Sequence, residues 1–209
     1  MSTLKVNQIY EADGSQFRFN TDVVHIQSQT GSDLGGALIF DNLDTATYRS
    51  FILYFAMVPE SSVDGYYPNF RLRTGGSSGA DETGSHYSFG YQYTYNNDGH
   101  AQVARSDFSY AGLAITVGAL DTYEGINGVL HFTPCRSGDS FNTGSGGSFA
   151  HWQMGHHHEA GGWRGTSGDM VYNENSTTNH TGFKIYMGTG STESGGFDEY
   201  KYSFYGVKG

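Results

Sequence analysis

Hydrophobic and polar residues alternate with a period of two in many short stretches of this chain, and no stretch sustains the 3.6-residue period of an amphipathic helix. The clearest run is HYSFGYQYTYN: Tyr87, Phe89, Tyr91, Tyr93 and Tyr95 share one face, and His86, Ser88, Gly90, Gln92 and Thr94 share the other. YPNFRLRTGG puts Pro68, Phe70 and Leu72 opposite Asn69, Arg71 and Arg73. NGVLHFTPC turns Leu130 and Phe132 inward and His131 outward, and FAHWQM alternates across Ala150, Trp152 and Met154. TYRSFILYFAMVP, residues 47–59, is nearly continuous in apolar and aromatic groups, the pattern of a strand buried on both faces. ALIFDNL, GLAITVGAL, TGFKIYMGTG and FDEYKYSFYGVKG add further strand candidates.

Between these runs lie PESSVDG, GGSSGADETGS, NNDGH, RSGDSFNTGSGG, NENSTTNH and STESGG, all rich in turn-forming residues. Roughly eight to ten short strands at intervals of about 10–20 residues predict an all-β fold, an antiparallel β-sandwich of jelly-roll-like form. The sandwich is expected over residues 36–209. Residues 1–35 form a short extended N-terminal arm: TLKVNQIY and QFRFN alternate around Asp13-Gly14, a hairpin signal, and VVHIQ is a further short strand candidate. This segment is too small to bury a core alone, so Leu4, Val6 and Ile9 are expected to lie against another chain.

Composition sharpens the picture. Of 209 residues, 31 are Gly, 16 Tyr and 14 Phe, while only 3 are Pro, which suits strands joined by many glycine turns. The net charge of −10 argues against nucleic acid and anionic membranes as partners, since both need basic patches. No apolar run is long enough to insert in a bilayer, and no secretory signal is readable. The lone cysteine, Cys135, excludes a disulfide within one chain and fits assembly in a reducing cytoplasm; it reads as a small buried hydrophobe.

Four features of the chain are candidates for chemistry. In GHHHEAGGW, His156 and His158 would face one way in an extended chain, and His157 and Glu159 the other. One chain then offers at most two close ligands per face, short of a closed metal site. The stretch reads either as an exposed polar loop beside Gly155 or as a metal site in which His156 or His158 from three chains meets on a threefold axis. No cofactor is implied otherwise. The tyrosine face, with Tyr91 and Tyr93 at its centre, reads as core or as a subunit interface. The acidic pairs Asp81-Glu82, Asp198-Glu199 and Asp41 with Asp44 read as solvated loop charge, with glycoside hydrolysis or calcium binding as the functional alternatives. Asn175-Ser-Thr and Asn179-His-Thr fit the glycosylation pattern by chance in a chain without a signal peptide.

The opening MSTLKVNQIYEADGS resembles the starts of tail-fibre and other virion appendage proteins of marine tailed phages, particularly those infecting cyanobacteria. The ending SGGFDEYKYSFYGVKG resembles the close of their C-terminal β-sandwich modules, and FILYFAMVPESSVDGYYPNFRLRTGGS resembles the same module's core strand and its continuation. The resemblance implies a virion structural part, a homotrimer assembled in the host cytoplasm, bound to other virion proteins through its arm and in contact with a host surface glycan or protein. It carries no catalytic residues, so no enzyme is expected. A capsid-decorating appendage is the closest alternative, followed by a polysaccharide depolymerase and a lectin-like binding domain.

Overall fold

A computed structural model describes residues 22–63, 65–94, 99–117, 125–135, 147–158, 162–173 and 179–208. The chain is an all-β antiparallel sandwich. Its large sheet holds eight strands in the spatial order β1 (Val23–Leu34), β14 (Phe197–Lys208), β3 (Tyr48–Pro59), β9 (Ile126–Thr133), β10 (Ser148–His157), β11 (Trp163–Tyr172), β6 (Tyr87–Thr94) and β7 (His100–Phe108). The small sheet runs β13 (Thr192–Glu193), β12 (Gly182–Thr189), β4 (Tyr67–Thr74), β5 (Ala80–Asp81), with β2 (Leu38–Phe40) also pairing β12 and β8 (Ala111–Gly112) also pairing β4.

The alternation read from the sequence sets which face of each large-sheet strand is buried. Trp152, Leu130, Phe132, Tyr87 and Leu53 are all fully enclosed between the sheets. Their polar atoms are satisfied across the sandwich. Trp152 Nε1 donates to the Leu113 carbonyl at 2.7 Å, and Tyr87 Oη accepts the Leu72 N–H at 2.9 Å while donating to the Glu82 carbonyl at 3.0 Å. Phenylalanine rings fill the middle: Phe51 stacks on Phe204 at 5.5 Å, and Phe70 on Phe183 at 5.4 Å.

Two expectations are corrected. The apolar run in β3 is buried on one face only: Phe51, Leu53, Phe55 and Met57 lie inside, but Tyr54 is 52% exposed and Ala56 is exposed. The strands covered on both faces are β4 and β12. The second face of those two strands is polar, and there Arg71, Arg73 and Lys184 meet Asp41, Asp81 and Glu193 in an ion network beneath the Tyr186 ring. Buried cations are tolerated because each has a carboxylate partner. Asp41 and Asp81, read as solvated loop charge, belong to this network.

The second correction concerns the arm. Val23–Leu34 pairs with β14 along its length, so sheet-forming chain begins ahead of residue 36. Leu4, Val6, Ile9 and the Asp13-Gly14 turn lie outside the described residues.

Candidate functional site

The histidine stretch is not a loop as far as His157: β10 continues through it, pairing His156 with Arg164 and Ile126, and His157 with Trp163. Alternation along β10 then sends His156 into the sandwich, where it is 0% exposed and neither ring nitrogen has a hydrogen-bond partner among the described residues. Burial, joined by the positive charges of His158, Arg164 and His157, pushes its pKa from 6.5 down to about 4. A ring with no exposed surface cannot meet its copies on a shared axis, so His156 is unavailable to the threefold metal site read from the sequence. His158, just past the strand, is half-buried, with its Nε2 hydrogen-bonded to Thr116 Oγ1 at 3.2 Å. No group of three or more potential metal ligands occurs among the described residues. Glu159 lies outside them.

Tyr91 is likewise an interior residue, 7% exposed and stacked on Phe89 at 6.5 Å, so its apolar surface is already removed from water within one chain. Tyr93 is half-buried beside it, and Tyr95 lies outside the described residues. Cys135 is buried, and its N–H donates to Ser148 Oγ, which lies 2.7 Å from His180 Nδ1. This serine–histidine pair has the spacing of a nucleophile and base, but the two residues are 0% and 2% exposed and present no surface to a substrate.

The open site lies on the outer face of the large sheet. Cross-strand register places Ala56, Asn127, Gly155 and Gly165 in one lateral row across four adjacent strands, and the hydrogen bond from Gly165 N–H to Thr94 Oγ1 carries the row on to β6. Small side chains along this row leave a trough of about 610 Å³ running perpendicular to the strands. Its floor residues Asn127, Gly155, Gly165 and Thr94 span about 14 Å at ~4.8 Å between neighbouring strands. The next row forms one wall: Tyr54, Val129, Gln153, Ser167 and Gln92 stand side by side on the same five strands. Two residues further along β10 and β11, on the other side, His157 and Trp163 form a cross-strand pair with ring centroids 5.9 Å apart; Trp163 is 53% exposed.

The Tyr54 ring is braced edge-on against Tyr205 at 5.9 Å, which in turn meets His25 at 5.3 Å. Thr94 Oγ1 accepts the Gly165 N–H at 3.2 Å. Among the described residues the lining carries amides, hydroxyls, apolar groups and rings, the His100 imidazole among them, and neither a carboxylate, a lysine nor an arginine. Beyond the amide wall, His151 Nδ1 lies 2.7 Å from Asp169 Oδ1, and His131 sits across from His151 with its pKa lowered by burial and by the charge of that neighbour.

Sequence reasoning missed this trough. Its signal was present: outward glycines inside otherwise alternating strands, at QMGHH and WRGTS. The expectation of an exposed polar loop beside Gly155 hides it. No family model matches the chain, and no curated protein or solved structure matches it.

Proposed function

We propose that the chain is a structural protein of a tailed-phage virion, a tail fibre or similar appendage, whose sandwich contacts the host surface through the outer face of its large sheet. The observation that carries the attachment role is the trough itself, an open concavity whose described lining has no carboxylate, lysine or arginine, on a face that no other described element covers. The virion setting rests on the resemblance at both ends of the chain. Binding without cleavage is the chemistry favoured, because the two carboxylates used in glycoside hydrolysis have no counterpart among the described trough-lining residues.

The same reading includes a homotrimer. The β1 edge of the large sheet carries no further strand among the described residues, and strands of this kind pair with other chains. Residues 1–21 would join the trimer to neighbouring virion proteins.

Two measurements test this. Antibody labelling of purified particles should place the chain at a fixed copy number at the tail; capsid labelling would make it a decoration protein, and no labelling would end the virion reading. Purified chain added in excess should also slow particle adsorption to host cells. Unchanged adsorption would remove the attachment role.

A further inference from the structure

We infer that the trough binds an uncharged, hydroxyl-rich saccharide chain laid across the strands, with Gly155 and Gly165 as its floor. The inference rests on the attachment reading and names the ligand class of that same surface.

The floor glycines carry the most weight. Glycine in a strand interior weakens it, so each one calls for a reason. At Gly168, on the inner face, the reason is packing: a Cβ would come within 2.5 Å of the Gly90 carbonyl oxygen and of the Trp152 ring. At Gly128 it would lie 2.4 Å from the Gln153 carbonyl oxygen. Gly155 has no such reason. Its nearest neighbour to a Cβ would be Asn127 Oδ1 at 3.5 Å, an ordinary contact, and its φ is not positive. Gly165 is similar: the nearest atom is the Thr94 hydroxyl at 3.3 Å. These two residues face each other across β10 and β11, on the solvent side. Neither fold nor backbone demands glycine at Gly155, and at Gly165 only a movable hydroxyl stands close. What both omit is a side chain that would fill the trough.

The walls specify the occupant. The amides of Gln92, Asn127 and Gln153 each offer donors and an acceptor, and Ser167 and Thr94 offer hydroxyls; neighbouring sugar hydroxyls need both roles at short spacing. Tyr54, half out in solvent and braced by Tyr205, presents an aromatic surface for the apolar C–H face of a pyranose. A polyanion would find no lysine or arginine there and would meet a chain of net charge −10. A protein partner would be expected to seat large apolar or arginine anchors in closed pockets, and this open floor of small residues supplies none.

The test is titration calorimetry of the full chain with maltohexaose, cellohexaose and chitohexaose, with a heparin hexasaccharide as the anionic control. At least one neutral hexasaccharide should bind, weakly and in preference to heparin. Gly155→Val, which places a β-branched side chain on the floor, should weaken it at least tenfold without lowering the melting temperature; Tyr54→Ala should weaken it by a similar factor. Failure of all three neutral sugars to bind, preference for heparin, or full affinity in Gly155→Val would overturn the inference. Loss of oligomeric mass in Gly155→Val would overturn it too, by making the trough a contact between copies of this chain. Adsorption separates the two levels of failure. If wild-type and Gly155→Val chains slow particle adsorption equally, the attachment reading stands and the trough inference falls; if neither slows it, attachment itself falls.

Discussion

His156 is an aromatic base with no exposed surface and, among the described residues, no hydrogen-bond partner for either nitrogen. Its protonated form is therefore excluded from the folded chain until the pH nears 4, whereas in the unfolded chain it titrates near 6.5. Above pH 6.5 both states hold it neutral and it contributes nothing to pH dependence. As the pH falls from 6.5 to 4, the unfolded state takes up a proton that the folded state does not hold, and stability drops by at most about 3 kcal/mol. His156→Met should remove that part of the acid loss and leave the chain at least as stable at pH 8, since an unpartnered polar ring gives way to an apolar side chain. Urea midpoints of both proteins from pH 8 to pH 4 check this; parallel curves would show that another group carries the acid sensitivity. The sequence made His156 visible as chemistry but hid its surroundings. Whether a histidine in a row of three points in or out depends on where the strand ends, and glycines on both sides obscured that end.

Along a single strand, period-two alternation was enough to sort inward from outward side chains. Trp152, Met154, Leu130 and Phe132 all lie inside as expected, and His131 lies outside. The reading failed where hydrophobicity did not report coverage. β3 is apolar on both faces, yet nothing described packs over Tyr54 or Ala56; β4 carries arginines, yet both its faces are covered because a second layer of carboxylates neutralises them. Glycine had two meanings that a sequence alone does not separate, and alanine substitution separates them. Gly168→Ala should destabilise by ~1–3 kcal/mol or more, because the new methyl group meets backbone and the Trp152 ring. Gly155→Ala should stabilise by ~0.5–1 kcal/mol, as the strand loses a flexible residue in open space. In a chain of this size each kcal/mol moves the melting temperature by about 2–4 °C, so a thermal scan reads both signs. A fall for Gly155→Ala would mean that strand geometry, and not the trough, requires glycine there.

At the scale of the molecule, the sheet order was beyond the sequence because its pairings join distant segments: β1 lies against β14, at the two ends of the described chain. Among the described residues that order leaves β1 as an edge of twelve residues, VVHIQSQTGSDL, with Val23 and Ile26 49% and 41% exposed. Isolated proteins guard such edges with lysine, proline, shortness or a bulge; this one carries a single aspartate and a register shift between His25 and Gln27, and neither lysine nor proline. So long and lightly guarded an edge suits a chain whose edge is covered in its working form, as in the trimer proposed above. Light scattering of the wild-type chain should then give three times the 22.8 kDa of one subunit. Replacing Ile26 and Thr30 together with lysine puts like charges along the edge of every copy. Both positions are exposed, so the core is untouched and each subunit should keep its strand-dominated circular dichroism while the trimer dissociates. A wild-type monomer at high concentration would rule out the trimer, and a double-lysine variant that remains trimeric would move the subunit contact away from β1.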